Sequence, residues 1–356
     1  MKIELPLIEK TSLISYPDVA LAMPIMMTIP NIENWLVSEF IQLHSNSIFI
    51  KYYNYGSAEE YEPLETTILR THLDLGEDII DVIKNFIKNE YYIIVLCDDS
   101  CIPILNIKYS RLHSILLFGY DDDKQKFDAY AYHNGKPAKF KILYKEFLNA
   151  YNSKYCAGYE VKSNDFDGMN ENDDVHRINC ESNLLVLYKI KELKFDYINI
   201  EKFKWHMLDY MEAVNTVSRE RPHLGLFNTE TILWGMDIYT GIKKFYNIIL
   251  DRKYYINHAD AYCLYEHKKN MLQKMIYLGK HTNIKCDNNI LNDYNRIVEK
   301  AEIFMNLVIK YNYRLGNSDV TNTFNNIISC VDFLEYEEKQ VLYKFYEENK
   351  SVFNDT

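Results

Sequence analysis

Hydrophobic and polar positions alternate in two different ways along this chain, and the change falls near its middle. In the first half, short apolar runs alternate with amphipathic ones. Ile79, Ile80, Ile83, Phe86 and Ile87 recur at helical spacing and predict a helix over 77–88. Tyr91 to Cys97 is a compact β-branched and apolar run that Asp98-Asp99-Ser100 closes, so it predicts a buried strand. Arg111 to Ala131 reads as strand, tight acidic turn (Asp121 to Asp123) and returning strand, running on to His133-Asn134-Gly135. Leu143 to Tyr151 predicts a helix, and so does Asn31 to Leu43, with Trp35, Phe40 and Leu43 as its apolar positions.

Ser163 to Asp174 (SNDFDGMNENDD) is polar, acidic and poor in apolar residues, which marks a linker. Beyond it the period is helical almost throughout. The stripes are Phe203, Met207, Met211 and Val214; Trp234, Ile238, Ile242, Phe245 and Ile249; Tyr265, Leu272, Met275 and Ile276; and Ile297, Ala301, Phe304, Val308 and Tyr311. Such stripes predict helices packed in a bundle or irregular array. No fixed repeat length appears, which argues against a solenoid. The expectation is an α+β chain: an N-terminal domain over 1–165 with an antiparallel sheet, then an all-helical domain over 175–356.

Composition narrows the function classes. A length of 356 residues suits two domains, and 47% apolar content suits real cores. A net charge of −11 argues against broad binding to a nucleic-acid backbone. The longest apolar run, Val19 to Met27, carries Pro24 and is far short of a membrane span. The start, MKIELPLIEK, lacks the apolar core of a secretory leader, and seven scattered cysteines suit reduced thiols, so a cytoplasmic location is expected. The 31 tyrosines, with abundant Ile, Lys and Asn, point to an A+T-rich coding genome and say little about function.

His113 is the foremost chemical candidate, a histidine near the start of the hairpin's first strand and suited to be a general base. Its bland reading is a hydrogen-bonded residue at a strand end; the hairpin around it tips the balance to the base. Asp128, on the return strand, is of the type that fixes an imidazole tautomer, against an equally weighted reading as a solvent-facing polar residue. For a nucleophile the chain offers Ser15, just before an expected helix start and otherwise an N-cap, and Cys97 or Cys101, each more ordinary as a core thiol. A metal site from Cys97, Cys101 and His113 lacks a CxxC pair and a fourth ligand. Asp121 to Asp123 lacks the rest of a calcium loop. The run Tyr265-Glu266-His267-Lys268 reads as an exposed helix face. No P-loop, dinucleotide glycine pattern or GxSxG elbow is present.

The stretch LHSILLFGYDDDKQKF is similar to the histidine hairpin of the butirosin-pathway acyltransferase family and its relatives, which include a closthioamide-pathway amide-forming enzyme. SYPDVALAM, NWLVSEFIQL, YYIIVLCDDSCIP, LWGMDIY and LYEHKKNMLQKMIYL extend the likeness over most of the chain. The resemblance implies a papain-like, cysteine-peptidase-like N-terminal domain. It also implies acyl transfer in thiotemplated antibiotic biosynthesis: an acyl or peptidyl group leaves the phosphopantetheinyl thioester of a carrier protein for an amine acceptor. The implied partner is that carrier, and the protein itself needs no cofactor. Carried over, His113 matches the family base. Ser15-Tyr16 stands where the family has its cysteine and an aromatic residue. Ala131 falls where one alignment puts the orienting acid or amide, with Asp128 out of register. Asn34 and Gln42 are conceivable oxyanion donors, and Lys243, Lys244, Lys268 and Lys269 a conceivable basic patch for an acidic carrier. The substituted nucleophile keeps a second expectation in view: a non-catalytic family member that binds a carrier, a pathway enzyme or a product.

Overall fold

The computed structural model describes residues 1–45, 49–53, 61–70, 78–153, 184–220, 232–316 and 319–354. The chain divides into two compact units, each made of two segments: Met1–Ile29 with Glu59–Leu193, and Pro30–Ala58 with Lys194–Thr356. No described helix is long and apolar enough to cross a membrane.

The first unit is built on a sheet of seven described strands, all paired antiparallel. These are β1 (Lys2–Glu4), β4 (Leu64–Arg70), β5 (Tyr92–Asp98), β6 (Leu112–Asp121), β7 (Lys126–His133), β8 (Lys136–Leu143) and β9 (Leu184–Ile190), β2 and β3 lying in the second unit. The order is β4-β9-β5-β6-β7-β8, with β1 added to the far end of β6. Apolar side chains fall on both faces of β5 and β6, as both are central strands. One face is covered by α3 (Ile79–Lys88) and α4 (Tyr144–Tyr151), whose Ile80, Ile83, Ile87, Phe147 and Tyr151 pack with Val95, Ile115, Leu117 and Ala129. Asp78 starts α3 by accepting the Ile80 amide at 3.0 Å.

The alternate positions face the other way. There Tyr92 donates to the Pro6 carbonyl (2.6 Å), Tyr130 to Glu9 (3.4 Å) and Tyr132 to Ile14. These three hydroxyls hold the segment that leads into α1 (Pro17–Met26). Proline at the first turn suits α1, and Val19 to Met26 is buried all round, as expected of an interior helix. It lies against β6 and β7. The β6–β7 register shifts between Leu117 and Gly119, and a Cβ on Gly119 would sit 2.8 Å from the Ile3 carbonyl. Only glycine lets β1 come that close.

In the second unit the expected helix over 31–43 shortens to α2 (Ile32–Leu36). Phe40 takes a left-handed backbone (φ 53°), which no helix continues through, and β2 (Leu43–Ser45) follows. β2 pairs with β3 (Ile50–Tyr52) and with β10 (Leu233–Trp234), so Trp234 is in a strand and not at the head of a helical stripe. Around this small sheet stand α5 (Ile200–Met211), α6 (Thr216–Glu220), α7 (Asp237–Arg252), α8 (His258–His281), α9 (Asn288–Arg314) and α10 (Thr321–Asn354). The α9 stripe is as expected: Ile297, Ala301, Phe304, Val308 and Tyr311 are all buried.

The α8 surface is not. Glu266, His267 and Lys268, expected on an exposed face, are buried. Lys268 Nζ lies 2.8 Å from Glu338 of α10, both side chains fully buried. Its other protons reach Tyr210 Oη (2.6 Å) and His267 Nδ1 (3.0 Å). Glu338 also accepts from Tyr210 (2.9 Å), Tyr239 (2.8 Å) and Tyr294 (2.7 Å). A charge this deep survives because every donor and acceptor around it is used.

The partition also differs from a cut at 165–175. The polar run 163–174 lies outside the described residues, but β9, expected among the helices, is an inner strand of the first sheet between β4 and β5. Its sequence, LLVLYKI, is strand-like on its own; the helical pattern starts only after it.

Candidate functional site

His113 is the second residue of β6 and pairs directly with Cys97 of β5. Opposed residues of an antiparallel pair have Cα atoms about 4.5–5.5 Å apart. Just past the strand end, where a short 3-10 turn (Asp99–Cys101) begins, the Asp99 amide donates to the Arg111 carbonyl at 3.2 Å. Arg111 donates from Nε (2.8 Å) and pairs through Nη2 (2.7 Å), both with Asp99 Oδ2. Asp99 is 1% exposed, and its other oxygen, Oδ1, is buried with no hydrogen-bond partner among the described residues. Burial pushes the His113 pKa below its ordinary value; the Arg111 charge pushes the same way, and the Asp99 charge opposes both. The balance favours the neutral imidazole, the form a base requires.

Beside it Asp98 anchors the strand end. It accepts from Ser100 Oγ (2.6 Å), the Ser100 amide (3.1 Å) and Ser153 Oγ (2.9 Å). Burial opposes ionisation there, but these donors outweigh it and hold the carboxyl below the usual range.

The β6–β7 ladder runs from Asp121↔Lys126 to Leu116↔Tyr130. Past that end the rings of His113 and Tyr132 meet edge-on, with centroids 5.8 Å apart. Tyr132 is the residue whose hydroxyl reaches the Ile14 carbonyl. Ser15 follows Ile14, is half-buried, and stands two residues before the first turn of α1. One tyrosine thus joins the base strand to the segment that holds the candidate nucleophile.

Asp128 takes no part in this. The shifted register sets it opposite Gly119, six residues along β6 from His113, about 20 Å at ~3.3 Å per residue. Its Oδ1 is 2.6 Å from Lys141 Nζ on β8. The expected orienting role does not fit that position, because the β-bulge and the lysine fix the carboxylate elsewhere. Ala131 is fully buried and brings no polar group.

Cys97 pairs with His113 but has no exposed surface. Cys101 is half-buried, and burial and Asp98 push its thiol pKa up, against thiolate formation. Among the described residues no three His, Cys, Asp or Glu side chains form a metal-holding group. Asn34 and Gln42 belong to the second unit and are spent there: Asn34 Nδ2 donates to Phe195 O (2.7 Å), Gln42 Nε2 to Val214 O (2.9 Å) and Thr216 Oγ1 (3.0 Å). They are not oxyanion donors in this arrangement. The basic patch shrinks likewise, since Lys268 is buried on Glu338 and Lys243 is paired with Asp332 (3.2 Å) and Glu335 (2.6 Å).

Sequence reasoning missed Asp99, Arg111 and Tyr132. Asp98-Asp99-Ser100 reads locally as a strand terminus, and only the folded chain brings Arg111 onto Asp99. No protein-family model matches the chain, and no curated protein matches it.

Proposed function

We propose that the chain moves an acyl or peptidyl group from a carrier-protein thioester to an amine, on a papain-like first unit with Ser15 as acyl acceptor and His113 as base. The observation that carries this reading is Tyr132, whose ring meets His113 while its hydroxyl holds the residue before Ser15. Acyl transfer needs the nucleophile beside its base, and what supports this is that α1, which Ser15 leads into, lies against β6 and β7.

In the first step Ser15 Oγ attacks the thioester carbonyl and its proton passes to His113. The carrier's thiol then leaves with that proton, and Ser15 carries the acyl ester. In the second step the amine attacks the ester carbonyl, His113 takes a proton from nitrogen, and returns it to Ser15 Oγ as the C–O bond breaks. The product is an amide, and the enzyme is restored.

The test is intact-mass spectrometry after mixing the chain with acyl carrier protein and no amine. An acyl adduct that maps to Ser15, is lost in Ser15→Ala, and whose formation slows about a hundredfold or more in His113→Ala supports the reading. An adduct on Cys97 or Cys101 moves the nucleophile. The serine in place of a thiol, and Asp128 held by Lys141, favour a second reading: a non-catalytic protein that binds the carrier, a pathway enzyme or the product. No adduct, with saturable carrier binding by calorimetry, selects it.

A further inference from the structure

We infer that Asp99, rather than Asp128, is the positioning residue for His113, its free oxygen receiving a ring N–H when the imidazole becomes protonated. The role as part of a base rests on the acyl-transfer reading; the Asp99–His113 pairing does not.

Three observations meet here. Cys97, two residues before Asp99, pairs with His113, and the Asp99 amide donates to the carbonyl of Arg111, two residues before His113, so the turn that carries Asp99 lies next to the histidine across the strand pair. Arg111 takes only Oδ2, through both Nε and Nη2. Oδ1 is then a buried carboxylate oxygen without a donor, a costly state unless another group uses it. The Arg111–Asp99 pair holds this carboxylate, 1% exposed, in one orientation.

The division of labour follows from charge. Asp99 favours imidazolium and Arg111 disfavours it, so the two set the proton affinity of His113 in opposite directions. Cys97 opposite, the Tyr132 ring and a backbone hydrogen bond to Ser114 also meet it, and none of them brings a charge. An aspartate that orients and stabilises a transient imidazolium is the third member of a nucleophile–base–acid set. Here it comes from the turn that follows β5, where no chain-order pattern leads one to look.

The experiment is an NMR titration of the His113 ring, compared in the parent, Asp99→Asn, Arg111→Met and Asp128→Asn, with amide spectra to check the fold. Asp99→Asn should lower the His113 pKa by about half a unit to one unit, and Arg111→Met should raise it by a similar amount. Asp128→Asn should leave it in place. If Asp99→Asn does not fold, Asp99→Glu, which should keep the parent value within about 0.3 unit, and Arg111→Met decide together. An unmoved His113 in Asp99→Asn, or an equal shift in Asp128→Asn, overturns the pairing. Where acyl transfer is measurable, the acid limb of kcat/KM should move with the NMR value. If the shifts appear but the parent never turns over, the pairing stands and the acyl-transfer reading falls. If turnover is present and the shifts are absent, the reverse holds.

Discussion

Lys268 and Glu338 make the sharpest energetic prediction. Every proton of the Lys268 ammonium is used, by Glu338, Tyr210 and His267. His267 in turn donates from Nε2 to the Ile41 carbonyl at 2.6 Å, which fixes its neutral tautomer and leaves Nδ1 as an acceptor. Burial pushes the Lys268 pKa down and Glu338 pulls it back. Lys268→Met leaves the carboxylate with three tyrosine donors and no counter-charge, and strips His267 Nδ1 of its donor. Breaking a buried pair this way costs about 3–5 kcal/mol. Glu338→Gln leaves a buried ammonium and costs about the same. The double variant removes both charges, so it should fall short of the sum of the singles by at least about 2 kcal/mol. Urea unfolding of the full chain by tryptophan emission is well placed to measure this, because all three tryptophans, Trp35, Trp205 and Trp234, lie in the second unit. Additive effects, or a single variant costing under about 1 kcal/mol, would refute the view that charge pairing holds this core.

Three further outcomes are expected. His44 is depressed to about 4, first by burial and then by Lys51 directly across the strand pair. The unfolded chain therefore binds more protons between pH 6.5 and 4, so stability is lost as pH falls through that window. The loss is about 2–3 kcal/mol after allowing for partial exposure, and urea midpoints of His44→Gln should be correspondingly flatter with pH. Gly119→Ala drives a Cβ against the Ile3 carbonyl and Asp128, and should destabilise by about 1–3 kcal/mol; an unchanged melting temperature counts against the close β1–β6 approach. A protease site introduced between 163 and 174 should, once cut, leave pieces that co-elute on gel filtration until denaturant is added, since β9 is held between β4 and β5; separation under native conditions would contradict that sheet order.

The hairpin was legible because its information is local. Alternation marks both strands, and the acidic turn supplies its own bonds, with Asp121 Oδ1 accepting the Lys124 amide at 3.2 Å and Gln125 at positive φ. α3 and the α9 stripe were legible for the same reason. The segment 31–43 was misread because its apolar positions suit a helix, whereas Phe40 and Gln42 answer to partners far along the chain. Lys268 was misread because periodicity ranks a lysine as surface, and its burial depends on Glu338 seventy positions later. At the candidate site, the histidine came from residue type and context. The proposed acid did not, because Asp99 comes near the histidine only once β5 and β6 are paired.

The interleaved make-up of the two units has a consequence for synthesis. Residues 30–58 leave the ribosome early, yet the partners they belong with begin at Lys194. The first unit is also unfinished until Leu184–Ile190 emerges to fill the gap between β4 and β5. A nascent chain therefore carries an open sheet and an orphaned apolar segment at the same time, over well more than a hundred residues of elongation. Neither unit completes vectorially before the other begins. Yield in a cell should thus depend on elongation speed and chaperone capacity more than on final stability, and slowing translation before position 184 should lower it.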